Sequence, residues 1–191
     1  MMEDIKSRLK LRSDKLDKTE EPVIVESTKD VSLLSSETIE LLNYRIQQEQ
    51  FSSRIYEAFA LWLENESLPN LAKLYKKYAQ EELTHADWAK EHLLSYNIKP
   101  KLKSLGDPED QFSFSSVQNI LDLTLQHEKD ITNQCNELAS YALKNGDHVL
   151  YVLGTKYCKE QVEELNKAFT LLSAYNRTSD DLVFDHYIGD L

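Results

Sequence analysis

A carboxylate and an imidazole share one face of a segment whose pattern predicts a buried helix. Glu82 and His85 are three residues apart, so both side chains emerge from the same side of a helix. That side is otherwise apolar, since it continues in steps of three and four through Leu71, Tyr75, Tyr78 and Ala89. Burying an acid and an imidazole costs free energy unless something compensates them. A metal ion binds both ligand types directly, so the pair indicates a metal site.

Three further helices are needed to position such a site, and the apolar periodicity predicts them. The predicted ranges are 37–65, 69–96, 113–144 and 147–176, with Ser35 or Ser36 as the first N-cap. We call the inward-facing row of residues on each helix its seam. The seam of the first helix is Leu42, Ile46, Glu49, Ser53, Tyr56, Ala60 and Leu63, and that of the third is Phe114, Val117, Leu121, Thr124, Glu128, Ile131, Cys135, Leu138 and Ala142. The seam of the fourth helix is Leu150, Gly154, Tyr157, Gln161, Glu164, Ala168, Leu171 and Tyr175.

Each seam is interrupted near its middle by acids or an amide, namely by Glu49, by Glu82 with His85, by Glu128, and by Gln161 with Glu164. A single buried acid has an ordinary explanation, such as a lysine partner or a rotated helix. Four interruptions at one level are different, because the carboxylates cannot all stay ionised without cations and no Lys or Arg occupies these seam positions. Bridging carboxylates with one imidazole describe a two-metal iron or manganese site. No thiolate lies at this level, which argues against structural zinc.

The lengths of the connections predict how the four helices are arranged. Short links make the first and second helices antiparallel, and likewise the third and fourth. Residues 97–112 form a longer connection, which at ~3.3 Å per residue reaches ~50 Å and so spans the bundle. We therefore predict an all-α four-helix bundle with a long crossover between helices two and three, plus a short C-terminal helix. The expected division is a polar, flexible extension over 1–35 with a short helix over 3–12, the bundle over 36–177 and a short segment over 178–191.

Composition narrows the classes of partner. Lys and Arg total 22 against 33 Asp and Glu, a formal charge of −11 that repels nucleic acid and anionic membranes and attracts cations. No apolar run approaches membrane-spanning length, and the N-terminus does not have the pattern of a secretory signal. Cys135 and Cys158 form no Cys-x-x-Cys motif and are interpreted as buried, reduced thiols of a cytoplasmic protein.

Over residues 33–176 the chain resembles the ferritins. The matching motifs are Leu42-Asn43, Glu49-x-Phe51-Ser52-Ser53, Tyr56, Trp62-Leu63, Ala79-Gln80-Glu81-Glu82-x-x-His85, His127-Glu128 and Glu160-Gln161-x-Glu163-Glu164. The inward acids and Glu-x-x-His of ferritin-like bundles are a documented pattern, and the resemblance adds to the residue argument above. It implies a ferroxidase that oxidises Fe(II) with dioxygen or peroxide, stores Fe(III) mineral and forms a homo-oligomeric shell of 24 chains.

The resemblance also implies a role for each site residue. Glu49, Glu82 and His85 would hold the first iron, with Glu82 bridging. Glu128 and Glu164 would hold the second. Gln161 would lie close to both. The residues matching a third iron site of prokaryotic ferritins are Glu81, Glu160, Glu163 and the shared Glu164, whose alternative reading is a solvated acidic face. Tyr56 matches a tyrosine that hydrogen-bonds near the centre and donates an electron, and its alternative role is that of a core aromatic.

Related families are separated by the fourth helix and by composition. Gln161-x-x-Glu164 replaces the second Glu-x-x-His that bacterioferritins and many oxygen-activating di-iron enzymes carry. Haem is not expected, because its axial ligand would be a helix methionine and the only methionines are Met1 and Met2. The chain departs from ferritins in its long extension and in residues 146–151, which lack the channel carboxylate pair of animal ferritins. A di-iron oxidase or peroxidase acting on another substrate, and a purely structural bundle, remain as alternatives.

Overall fold

The structure, a computed structural model, describes residues 33–190, with the backbone alone for Gln111. Residues 1–32, which include most of the predicted extension and its short helix, lie outside the described residues. The described chain forms no strand and consists of the helices α1 (Ser36–Asn65), α2 (Pro69–Ser95), α3 (Pro108–Gln111), α4 (Val117–Lys144), α5 (His148–Thr178) and α6 (Asp181–Gly189). The predicted all-α bundle with a short C-terminal helix is confirmed. Within residues 33–190, no helix combines the length and apolarity needed to span a membrane.

The start of α4 and the short α3 differ from the prediction. The third long helix was expected from residue 113, but α4 begins at Val117 because the Ser116 hydroxyl accepts from the Asn119 N–H at 3.1 Å and caps it. Phe114 therefore reaches the core from the connection and not from a helix, with its ring 5.1 Å from that of Phe59. Asp107 caps α3 and Pro108 is its first residue. Both residues favour the start of a helix, but α3 is only four residues long.

Contacts between the helices establish their directions. Arg45 of α1 meets Gln134 of α4, and Ser52 of α1 meets His127, so these two helices are antiparallel. The helices α2 and α5 are also antiparallel, because the Tyr157 hydroxyl donates to the His85 carbonyl and the Lys167 ammonium pairs with the Glu81 carboxylate. Since α1 and α2 form an antiparallel hairpin, α2 and α4 run the same way. Their connection must cross the length of the bundle.

The crossover is fastened along α1 by two side chains. The Lys101 N–H donates to Asn43 Oδ1 at 2.7 Å, and Gln47 Nε2 donates to the Ser104 carbonyl at 2.8 Å. These bonds pair backbone groups of a segment that has no regular structure of its own there. The long crossover predicted from loop length is therefore present.

The bundle core consists of two apolar clusters with polar residues between them. One cluster is centred on Phe59, Tyr75 and Phe184, and the other on Ile46, Leu93 and Leu150. The seam residues predicted within the four long helices are all buried. At Gly154 the backbones of α4 and α5 approach so closely that a Cβ there would lie 2.9 Å from the Ala139 Cα. The glycine thus allows the two helices to pack closely.

The C-terminal helix α6 supplies a cap that α2 lacks. Leu68 at the N-cap position makes no side-chain capping bond. The buried carboxylate of Asp185 accepts from the Leu71 N–H at 2.8 Å and from Asn70 Nδ2 at 3.0 Å. A negative charge at a helix N-terminus is stabilising, so α6 secures the start of the helix that carries Glu82 and His85.

Candidate metal centre

The polar layer contains the residues expected from the seams. Glu49, Glu82, His85, Glu128, Gln161 and Glu164 are all buried, with at most 6% of each residue exposed. They come from all four long helices. Four acids, one imidazole and one amide therefore meet between the two apolar clusters, where isolated charges are costly.

Two groups of these side chains have ligand atoms close enough to share a metal ion. Glu49, Glu82 and His85 form one, and His85, Glu160 and Glu164 form the other, with the atoms of each group within 4.8 Å of one another. His85 Nδ1 lies 3.4 Å from Glu82 Oε2, and His85 Nε2 lies 3.8 Å from Glu160 Oε1. The ligands expected for the first iron are thus together. Glu128 belongs to neither group.

Burial and mutual repulsion keep protons on part of this layer. Burial, followed by the charges of Glu49 and Glu128, raises the pKa of Glu82 well above its usual value. Burial raises the pKa of Glu128 to about 7, and burial also raises the pKa of Glu164. Carboxylates that share a site cannot all ionise, so the metal-free layer carries protons near neutral pH.

Three of the carboxylates are each held through one oxygen by a donor. Arg45 Nε lies 2.7 Å from Glu49 Oε1, Lys167 Nζ lies 3.0 Å from Glu164 Oε1, and the Tyr56 hydroxyl donates to Glu128 Oε1. The second oxygen of Glu49 has no hydrogen-bond partner within the described residues. Glu82 is the exception, because among the described residues no hydroxyl, guanidinium or ammonium group holds it and its contacts are with the His85 imidazole and the Glu49 carboxyl group.

Arg45 and Lys167 amend the sequence interpretation, in which no cation neutralised the seam acids. Neither residue lies on a seam, but each follows or precedes its acid by one helical turn, at i−4 from Glu49 and i+3 from Glu164. Arg45 is buried and also stacks its guanidinium 5.7 Å from the Tyr157 ring centre. Long basic side chains reach the core from flanking positions, which explains why the seam pattern missed them.

Gln161 belongs to the layer through its amide. Its contacts are satisfied when the nitrogen faces α4: Nε2 then donates to Glu128 Oε2 at 3.2 Å and to Thr132 Oγ1 at 3.0 Å. The amide oxygen of Gln161 then faces away from α4. Gln161 therefore orients Glu128, whose other oxygen is held by Tyr56.

The acids expected at a third iron site are only partly brought together. Glu160 joins His85 and Glu164, as described above. Glu81 makes its polar contacts with two lysines, with Oε1 3.5 Å from Lys77 and Oε2 3.3 Å from Lys167. Glu163 is exposed on the outer face of α5.

Comparison with known proteins agrees with the fold. The ferritin family, described as a ferritin-like domain, matches residues 39–178. The chain belongs to the ferritin-like family. A bacterial non-heme ferritin of Escherichia coli is 30% identical over 132 residues, which cover 69% of this chain and 79% of the relative. Ferritin BfrB of Mycolicibacterium smegmatis is 32% identical over 142 residues, covering 74% and 77%.

Among solved structures, an open pore ferritin from Archaeoglobus fulgidus has a TM-score of 0.77 and 24% identity, with 82% of this chain and 97% of that chain covered. This likeness concerns the fold. The resemblance to ferritins read from the sequence motifs is confirmed by the family match.

Two more residues of this ferritin-like chain, His127 and Trp88, lie beside the layer and were given no role by sequence. His127 is buried beside Glu128, with its Nε2 2.8 Å from Ser52 Oγ, and burial lowers its pKa to about 4, which keeps it neutral. The Trp88 ring lies 4.8 Å from that of His85 and 5.3 Å from that of Tyr157. Spacing offered a signal for Trp88 alone, since it is three residues after His85 on α2.

Proposed function

We propose that this ferritin-like chain stores iron and oxidises Fe(II) at the buried polar layer. Family membership supports iron storage. The observation that carries the oxidation is the group Glu49–Glu82–His85, whose ligand atoms lie close enough together for one ion, with Glu128 and Glu164 in the same buried layer. Two adjacent cation positions are what a two-electron oxidation requires, and carboxylate with imidazole is a ligand set suited to iron.

We assign the ligands as the resemblance to ferritins implies. Glu49 and His85 would bind the first Fe(II), and Glu128 and Glu164 would bind the second. Glu82 would bridge the two ions, which agrees with its being the one acid of the four that no hydroxyl, guanidinium or ammonium group holds. Gln161 fixes Glu128 through its amide. We retain Glu160 as a ligand near His85.

In the reaction, two Fe(II) ions each lose one electron and one dioxygen molecule gains both. With two protons the product is hydrogen peroxide; with peroxide as oxidant the products are two waters. The layer can supply protons as the metal ions displace them from Glu82 and Glu128, whose pKa values are raised. Tyr56, which is buried and hydrogen-bonded to Glu128, would orient that carboxylate.

The ferric product leaves the layer for an interior cavity. We propose a cytoplasmic shell of 24 identical chains, in keeping with the family, whose acidic surface concentrates the cationic substrate.

The decisive experiment removes the paired ligands of α2. We expect E82A/H85A to slow initial aerobic Fe(II) oxidation on the order of 100-fold, since two ligands of one metal position are lost. Assembly should persist as a particle of several hundred kilodaltons. The matched control is E91A, which removes an exposed acid from the same helix.

Oxidation at the wild-type rate in E82A/H85A would refute the site. A small oligomer that keeps only two irons per chain would instead support an oxidase acting on another substrate.

A further inference from the structure

Lys167 places a positive charge inside the acidic edge of the metal centre. Its ammonium lies 3.0 Å from Glu164 Oε1 and 3.3 Å from Glu81 Oε2, so it connects an acid of the buried layer with an acid outside it. The ammonium is also 5.6 Å from the centre of the Tyr78 ring. Two carboxylates and an aromatic face on different sides hold the lysine in this place.

Lys167 occupies a position that would otherwise suit a metal ion. Glu81 and Glu164 converge on it from α2 and α5, and ligand atoms of Glu160 and His85 also lie close to Glu164. An ion bound by Glu81 and Glu164 would have to expel the ammonium or sit beside it. Like charges at such distances repel strongly where water is partly excluded.

We propose that Lys167 limits the centre to two metal ions by occupying the cation position between Glu81 and Glu164. The lysine ammonium acts as a cation attached to the chain. It balances the charge of Glu164 and leaves that residue one carboxylate oxygen for the second metal ion. It also prevents Glu81 from binding a third metal ion. The inference deepens the proposed function, on which it rests for the first two ions.

A nearby lysine provides a matched control. Lys77 also pairs with Glu81, at 3.5 Å, but its side chain is 68% exposed, and among the described residues its ion pair is with Glu81 and not with Glu164. Removing either lysine changes the net charge equally. Only removal of Lys167 should open the position between the two acids.

The test counts and locates Co(II), which is redox-stable, in the assembled protein. Crystals of wild type, K167M and K77M are soaked with Co(II) and the ions are located by anomalous scattering, while anaerobic titration gives the tight stoichiometry. We expect two ions per chain in wild type and K77M, and a third between Glu81 and Glu164 in K167M. Affinity for the third ion should rise on the order of 100-fold over wild type, and E81Q/K167M should return to two.

A third ion between Glu81 and Glu164 in the wild type would overturn the proposal, and so would its absence from both K167M and K167Q. K167Q serves as the second variant should K167M assemble poorly. A wild type that binds no Co(II) at Glu82 and His85 would contradict the proposed function as well, whereas the first two results leave it standing.

Discussion

Glu49, a proposed metal ligand, has two carboxylate oxygens in different surroundings. Arg45 holds its Oε1 at 2.7 Å, while its Oε2 is buried without a partner within the described chain. The carboxylate therefore has one oxygen that is fixed and one that is available. Breaking a buried ion pair from one side leaves an uncompensated charge, which is costly.

We expect R45Q to lower the stability of the metal-free protein by about 3–5 kcal/mol, because the Glu49 carboxylate loses its counter-ion. Saturation with Co(II) should restore most of this loss, since the ion then compensates the carboxylate. Thermal unfolding with and without Co(II) measures both effects. R54Q, at an exposed arginine of the same helix, is the control. Equal melting temperatures for R45Q and R54Q, or no recovery with metal, would contradict this role.

At the residue scale the sequence predicted the inward acids but not their partners. Glu49, Glu82, Glu128 and Glu164 lie on apolar seams, where an acid is conspicuous. Arg45 and Lys167 lie beside the seams, where basic residues are ordinary on a solvated face. Their direction depends on side-chain torsions that helical periodicity does not specify.

At the scale of helices, the contact of α4 with α5 depends on the missing side chain of Gly154. We expect G154A to destabilise the bundle by about 1–2 kcal/mol, although Ala favours a helix by ~1 kcal/mol over Gly, because the new Cβ would meet the Ala139 backbone. Thermal unfolding of the assembled protein is the measurement. The double variant A139G/G154A should stay less stable than wild type, since the new Cβ still meets the Cα and N of residue 139. A G154A variant more stable than wild type would show that the contact has room.

Helix ends were predicted less well than helix bodies, for identifiable reasons. The bodies follow from long seams, which the structure confirms. The predicted start of α4 was wrong because Ser113, Ser115 and Ser116 offer several possible N-caps, and the hydrogen bond from the Asn119 N–H selects Ser116. The cap of α2 comes from Asp185, more than a hundred residues later, and no local pattern could reveal it.

At the scale of the whole molecule, the protonated layer links stability to pH. Glu82 and Glu128 have raised pKa values, that of Glu128 about 7, so from pH 6.5 to 8 the folded state binds protons that the unfolded state has already lost. Stability must therefore fall as pH rises through this window. His127, whose pKa is lowered to about 4, does not change charge there in the folded state and adds its own loss of stability only at lower pH.

We expect the metal-free protein to melt at a lower temperature at pH 8 than at pH 6.5, and the Co(II)-loaded protein to show the reverse, because metal and protons compete for the same oxygens. Calorimetric scans at the two pH values test this. E128Q should reduce the slope of the metal-free form. A metal-free protein that gains stability toward pH 8 would contradict the assignment of protons to the layer.

The architecture was the most predictable level. A crossover long enough to span the bundle, between two short-linked hairpins, leaves few topologies. The fastening of that crossover to Asn43 and Gln47 was not predictable, because such bonds depend on the positions of both partners in space. The number of chains in a shell depends on surfaces, about which seam residues carry no information.

Trp88, which lies beside His85, gives the protein an intrinsic fluorescence signal close to the proposed metal centre. The chain has two tryptophans, and the other, Trp62, packs against the opposite apolar cluster. An open-shell ion held by His85 would quench the ultraviolet emission of the nearer indole far more than that of the farther one. Metal binding at the proposed centre can thus be followed in real time as a loss of Trp88 fluorescence, without an added dye, while the emission of Trp62 changes little.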